Sequence, residues 1–450
     1  MLQNAKPISN KTLKNFEKKA SKNAVLTVAA HAMNKSPLTK VATVMPQQGN
    51  TDFHFSVQIN TMAVTNQKRS GRCWIFAALN LLREQVGKQC NIKDFELSQN
   101  YTAFWDKFEK SNWFLESVID LADQPVTERT LHWVLQNGIQ DGGQWDMIVS
   151  LIEKYGVVPK AAMPETAVSG DTPQLNQLLQ YRLAKAAAKI RRQKADGKDL
   201  EALAKIKEDA MQDVYNMLAS ALGTPPASFN FEYADKDDAY HIENGLTPLS
   251  FYKKYTNADL TDYISVINAP TADKPYYQSY TVDYLGNVVN GQPIQYLNLP
   301  MEDMEKLIVK ELQSGLPVWF GSDVSHFGDR EEGVWDDASF DYDSLFDTKF
   351  FVSKEDMLDY GLSAMNHAML LTGVNLNADK APTKWKVENS WSEKSGNKGY
   401  FIMSESWFER FVYQAVVHKN ILTAKQARAL EKPVVHLNPW DPMGTLAQCK

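Results

Sequence analysis

The sequence predicts an α+β fold in two lobes, one helical and one β-rich, with a helical insertion and an N-terminal extension. Three observations predict it. Helical spacing of apolar residues dominates residues 73–155. β-branched and aromatic residues return from residue 250 onward. Between them the composition shifts from about 166 to 245, with residues 174–195 and 199–222 rich in Ala, Leu, Lys and Gln.

Taken in order, residues 11–33 carry Lys, Phe, Leu, Val and Ala at helical spacing and predict an N-terminal helical segment. Residues 53–57 alternate and predict a short strand. Residues 73–89 are apolar at i, i+3, i+4 and i+7, so a mostly buried helix begins near Cys73, just after Gly71. Aromatic-rich helix follows over 98–135, then a turn-rich break at 138–143, then a helix at 145–155 ended by Gly156. Residues 174–195 and 199–222, separated by Asp196-Gly197, predict a pair of antiparallel helices. They interrupt a body formed by 1–165 and 250–450. They have little core of their own, so another subunit is expected to cover them. Strands are predicted at 317–321, 368–374, 384–389 and 399–403.

The chain has 450 residues, 44% of them hydrophobic and 23% charged, as in an ordinary globular enzyme. A net charge of −6 argues against nucleic acid as a partner of the whole surface. Residues 182–207 hold nine Lys or Arg against three Asp or Glu, with Lys185, Lys189 and Arg192 on one stripe. Such a run reads first as a solvated helix face, and nucleic-acid binding through it as a minor alternative. The N-terminal segment has no apolar core, so no secretory signal is expected. No apolar stretch is long enough to span a membrane. Three cysteines are too few for a disulfide framework and suit a reducing, cytoplasmic setting.

Chemistry concentrates in three places. The first is Gln67-Lys68-Arg69-Ser70-Gly71-Arg72-Cys73-Trp74. A thiol attacks as thiolate, and the positive end of a helix favours that form. Gln67 offers a side-chain NH₂ that would join the Cys73 backbone N–H around a developing oxyanion. A lone cysteine is by default a small core residue, and Cys90 and Cys449 are read that way. The second is Asn366-His367-Ala368, a histidine at the mouth of an apolar strand. The third is Asn389-Ser390-Trp391. An asparagine oxygen can accept the imidazole N–H and fix its tautomer, and Trp391 would shield that bond from water.

These parts resemble the papain superfamily, matching its oxyanion glutamine, nucleophile, base and orienting asparagine. Ser70 stands where that family's signature carries a cysteine, so the disulfide of secreted members is absent. His367 lies 294 residues after Cys73, against roughly 130–150 in papain, which implies large insertions. With the N-terminal extension and the ending Pro439-Trp440-Asp441-Pro442-Met443-Gly444, the chain is similar over nearly its full length to the bleomycin hydrolase and bacterial aminopeptidase C family.

The resemblance implies a thiol peptidase acting on peptides without metal or organic cofactor. Cys73, His367, Asn389 and Gln67 would be its catalytic residues, and Gly142, Gly143, Asn366 and Trp391 would line the substrate site. In papain the paired cysteine titrates at about 3–4, so a resting thiolate–imidazolium pair is expected. The resemblance also makes the insertion a hook that joins subunits into a hexamer. It puts the chain end in the cleft, where its carboxylate would hold the substrate's amino group and one residue at a time would leave. This chain continues past the usual ending with Gln448-Cys449-Lys450. Either the enzyme trims that tail to near Ala447, or the tail does not seat and an open cleft makes an endopeptidase. A catalytically silent scaffold is the remaining alternative, and the complete Cys, His, Asn set argues against it.

Overall fold

A computed structural model describes residues 5–44, 52–256 and 258–448. At the N-terminus the expected single segment is two helices, Asn10–Ala20 and Ala24–Met33. Asn23 separates them, because its side chain accepts from the backbone of Val25 and Leu26 and starts a new helix.

The helical lobe is built on Cys73–Gln89, Gln99–Asp120, Arg129–Asn137 and Trp145–Tyr155. The Ser98 side chain caps the second of these and that of Glu128 the third. The fourth ends at Gly156, whose φ of 70° suits glycine and whose missing Cβ lets the Pro248 backbone approach.

The β-rich lobe is a mixed sheet with twelve strands among the described residues. Its centre runs Tyr263–Ile267, Val412–His418, Val318–Ser322, His367–Leu376, Pro382–Glu388, Tyr400–Ser404, each antiparallel to the next. Its core packs Phe320, Trp385, Trp407, Phe408 and Phe411 under the Met301–Gln313 helix. The architecture is α+β, as expected. The strand expected at 53–57 is only Val57–Gln58, paired with Val374 and Gly373. Ahead of it the Ser56 hydroxyl donates to the Val374 carbonyl and accepts from the Leu376 N–H, replacing ladder bonds.

Two expectations about residues 166–249 are corrected. The helices Pro173–Ala195 and Leu200–Leu222 are present, but a β-hairpin, Phe229–Ala234 with Tyr240–Leu246, follows them. Phe231 anchors it, buried against Phe95, Phe251 and Tyr255. Nor do the two helices lack a core within the chain. Leu179, Leu183, Ile190, Leu203, Val214 and Leu218 pack with Phe104, Phe114 and Leu115 of the Gln99–Asp120 helix. Much of the basic run is also engaged: Arg182 pairs with Asp213, Lys194 with Asp123, Lys207 with Glu116, and Arg191 donates to three backbone carbonyls.

Candidate active site

Cys73 is the first residue of its helix, where backbone N–H groups have no partner within the helix. The residue before it, Arg72, is 2% exposed and gripped by Glu165 through two bonds of 3.0 and 2.9 Å. A third bond, to Ser70 Oγ, fixes its Nε. The turn ahead of the thiol is held from another side. Asp141 accepts from the Gly71 N–H at 3.0 Å, from Thr172 Oγ1, from Asn176 Nδ2 and from Lys107 Nζ. Burial alone would raise the Asp141 carboxyl, but Lys107 and Thr172 hold it well below its usual range.

The β-rich lobe closes on this helix start. Cys73 Sγ accepts from the Ala368 N–H at 3.4 Å, so the thiol and the beginning of the His367 strand are in contact. His367 Nε2 lies 2.9 Å from Asn389 Oδ1. With an amide oxygen as acceptor, Nε2 carries the proton and Nδ1 of the neutral ring is left as the base. Asn389 is itself aimed by the Ser390 N–H, 2.8 Å from its Oδ1. The Trp391 ring stacks on the imidazole at 4.8 Å and 29°. Gln67 links the lobes. Its Nε2 donates to the Ser70 carbonyl at 2.6 Å, and its Oε1 accepts from Ser390 Oγ at 2.6 Å. Its NH₂ keeps a second hydrogen. The expected set Cys73, His367, Asn389, Gln67 and Trp391 is thus brought together.

Three other expectations are changed. Asn366 borders the cleft, but its amide is committed: Nδ2 donates to Asp323 Oδ1 and Ser325 Oγ, and Oδ1 accepts from the Val324 N–H. It therefore holds the 323–325 loop. Gly142 and Gly143 are buried and do not line the open cleft. A Cβ on Gly143 would sit 2.4 Å from the Trp74 ring, and the Gly142 carbonyl accepts from Lys110. The closely approaching partner is the tryptophan next to the thiol. Finally, burial pushes the Cys73 thiol up to about 11 and the His367 imidazole down to about 4. Both shifts run against the expected ion pair, since burial favours the neutral thiol and the neutral imidazole.

The sequence reading missed Asp141 as a structural carboxylate, Asp323 and Arg330. The Arg330 guanidinium lies 4.3 Å over the face of Trp391. Burial opposes charge on Asp323, yet His326, Ser325 and Ser363 hold it down to about 2. Asp141 had a local signal, standing directly before the glycine pair. Nothing near Arg330 or Asp323 in the sequence marks them. A cluster of carboxylates, Glu305, Glu405 and Glu409, lies outside the cleft lining.

The chain end runs between the lobes. The Met443 carbonyl accepts from Tyr296 OH at 3.2 Å and from Gln144 Nε2 at 3.4 Å. Thr445 Oγ1 donates to the carbonyl of Met365, two residues before His367, at 2.9 Å. Met443 and Leu446 are fully buried, and Asp441 pairs with Lys274 at 3.0 Å. Cys449 and Lys450, on which the trimming and structural-cysteine expectations bear, lie outside the described residues.

The sequence pattern of the Peptidase C1-like family matches residues 7–444. The chain belongs to that family. It is 49% identical over 447 residues to Aminopeptidase C of Lactobacillus delbrueckii subsp. lactis, covering 98% of this chain and 99% of that one. It is 45% identical over 439 residues to Aminopeptidase C of Listeria innocua, covering 98% and 97%. The crystal structure of PepW from Lactobacillus rhamnosis HN001 superposes with a TM-score of 0.95 at 47% identity, over 97% of this chain and 99% of that one. The papain-like α+β architecture and the resemblance to the aminopeptidase C branch are therefore shown. No helix among the described residues is long and apolar enough to cross a membrane.

Proposed function

We propose that this enzyme is a thiol aminopeptidase that removes residues from the N-termini of peptides through an acyl-enzyme. The relatives named Aminopeptidase C support the reaction class. The observation that carries the exopeptidase reading is the chain end. It fills the space beside Gln144 and Met365, while the cleft bordered by Gln67, Cys73, His367 and Trp391 stays open. A peptide can then extend from Cys73 in one direction only.

In this reading His367 Nδ1 takes the thiol proton as Cys73 Sγ bonds to the substrate carbonyl carbon. The oxyanion is held by the Cys73 backbone N–H and the second hydrogen of Gln67 Nε2. The imidazolium then protonates the departing amine, leaving a thioester. His367 next takes a proton from water as it attacks that thioester, and returns it to the leaving sulfur. Asn389 keeps Nε2–H engaged throughout. Gly143 acts in this reaction by leaving room for the Trp74 ring next to the thiol, Gly142 by giving its carbonyl to Lys110, and Trp391 by covering the imidazole. Two buried free cysteines, Cys73 and Cys90, suit a reducing, cytoplasmic compartment.

The test compares free and N-acetylated forms of one peptide by mass spectrometry, with Cys73→Ala as control. The reading expects stepwise loss of single N-terminal residues from the free form alone. Internal cleavage of the N-acetylated form at an equal rate would replace it with an endopeptidase.

A closed homo-oligomer, six-membered in the resembled family, is also proposed. Its support is the N-terminal extension, whose Asn10–Ala20 helix buries no residue, together with exposed Ile8, Phe16, Phe351 and Tyr360. Light scattering that finds a stable monomer at micromolar concentration would refute it.

A further inference from the structure

The open part of the cleft is cationic. Lys68, Arg69 and Arg330 border it, and Asp141 is the carboxylate among its lining residues. The Asp141 charge is paired with Lys107, and its oxygens are taken up by Gly71, Thr172, Lys107 and Asn176. Arg69 is shared with Asp171 at 3.4 Å. Arg330 is exposed and held by a stack, its guanidinium on one side of Trp391 and His367 against the same ring. The acids beside it in sequence turn elsewhere. Asp329 accepts from the backbone of Glu331 and Glu332, and all three line a separate cavity with Thr43 and Phe340.

Stack spacings of 4.3 and 4.8 Å put the guanidinium at most about 9 Å from the imidazole, within reach of two or three extended residues. In the aminopeptidase reading proposed above the chain end closes the other direction, which leaves the departing part of a peptide on the side of this cation. We propose that Arg330 is a specificity residue for that part, pairing with a carboxylate one or two residues beyond the bond that is cut. The carboxylate is either the free C-terminus of a dipeptide or tripeptide, or an Asp or Glu side chain. Arginine suits both, since its planar fork takes a carboxylate while its face stays on the indole. This rests on the reading of Cys73 and His367 as the reacting pair.

The test is a ratio of kcat/KM values measured on one enzyme at a time, so any general loss of activity cancels. One arm compares a dipeptide with its C-terminal amide. The other compares Glu with Gln at the second position of an amidated tripeptide. Wild type is expected to favour the carboxylate in at least one arm by roughly two- to five-fold, the range of an exposed ion pair. That preference should shrink in ~0.5 M NaCl, where the Debye length is a few ångströms. Arg330→Gln should bring the ratio to one, and Arg330→Lys should keep part of it. Preference in the first arm alone assigns the α-carboxylate, and in the second alone the side chain. Wild-type ratios of one in both arms, or a preference that survives Arg330→Gln, would overturn the proposal while leaving the aminopeptidase reading intact. Failure to release an N-terminal residue from any of these peptides would overturn both.

Discussion

Leu446→Ala isolates the gate. Leu446 is 0% exposed, and its Cδ2 lies 3.4 Å from where a Cβ on Gly321 would stand. Around it the chain end is tied by Met443 to Tyr296 and Gln144, and by Thr445 to Met365. Those bonds survive the substitution. What is lost is a buried leucine side chain, which costs about 2–5 kcal/mol in well-packed sites. A terminal segment can undock without unfolding the rest, so most of that cost falls on docking. At ~2–3 kcal/mol the undocked population rises about 30- to 150-fold. An N-acetylated peptide needs the chain end out of the way, so its turnover should rise by a similar factor. Turnover of the free peptide should hold or fall. The assay is chromatography of both peptides with the same enzyme sample, beside a thermal melt. If the melt shows lost packing while turnover of the N-acetylated peptide stays at the wild-type level, the chain end does not gate the cleft.

Three further outcomes are expected. Gly143→Ala forces a methyl to within 2.4 Å of Trp74, itself tied by its Nε1–H to the Asp141 carbonyl at 2.7 Å. It should cost about 1–3 kcal/mol in a melt and lower kcat, whereas a glycine serving substrate approach alone would raise KM with no loss of stability. Asp141→Asn leaves Lys107, 1% exposed, without its counter-charge and should cost roughly 3–5 kcal/mol in urea unfolding. Burial makes His367 resist protonation, so activity should persist below the ordinary 6.5 and be lost as pH falls through about 4. A kcat/KM limb near 6.5 would contradict that.

How much of this was legible in the sequence depended on the residue. Cys73, His367, Asn389 and Gln67 were legible because the chemistry demands those types, each with local companions. Gly143 was half legible. A glycine pair announces a close approach without naming what approaches, and here it is Trp74. The helices at Pro173–Ala195 and Leu200–Leu222 were legible from their apolar stripe, but periodicity does not say which surface covers it. That surface belongs to the Gln99–Asp120 helix. Fully buried strands such as Tyr263–Ile267 lack alternation and passed unseen. Arg330 was invisible because its meaning comes from Trp391, a residue distant in sequence and 4.3 Å away in space.

A trapped acyl-enzyme tests the nucleophile and the mode of release at once. The enzyme is mixed with an amino-acid ester bearing a free amine, quenched in acid during turnover, and its mass read intact and after digestion. A thioester adduct of one amino-acid residue is expected on Cys73. That adduct should be absent from Cys73→Ala and much weaker with the N-acetylated ester. An adduct on any other residue, or equal labelling by the N-acetylated ester, would contradict it.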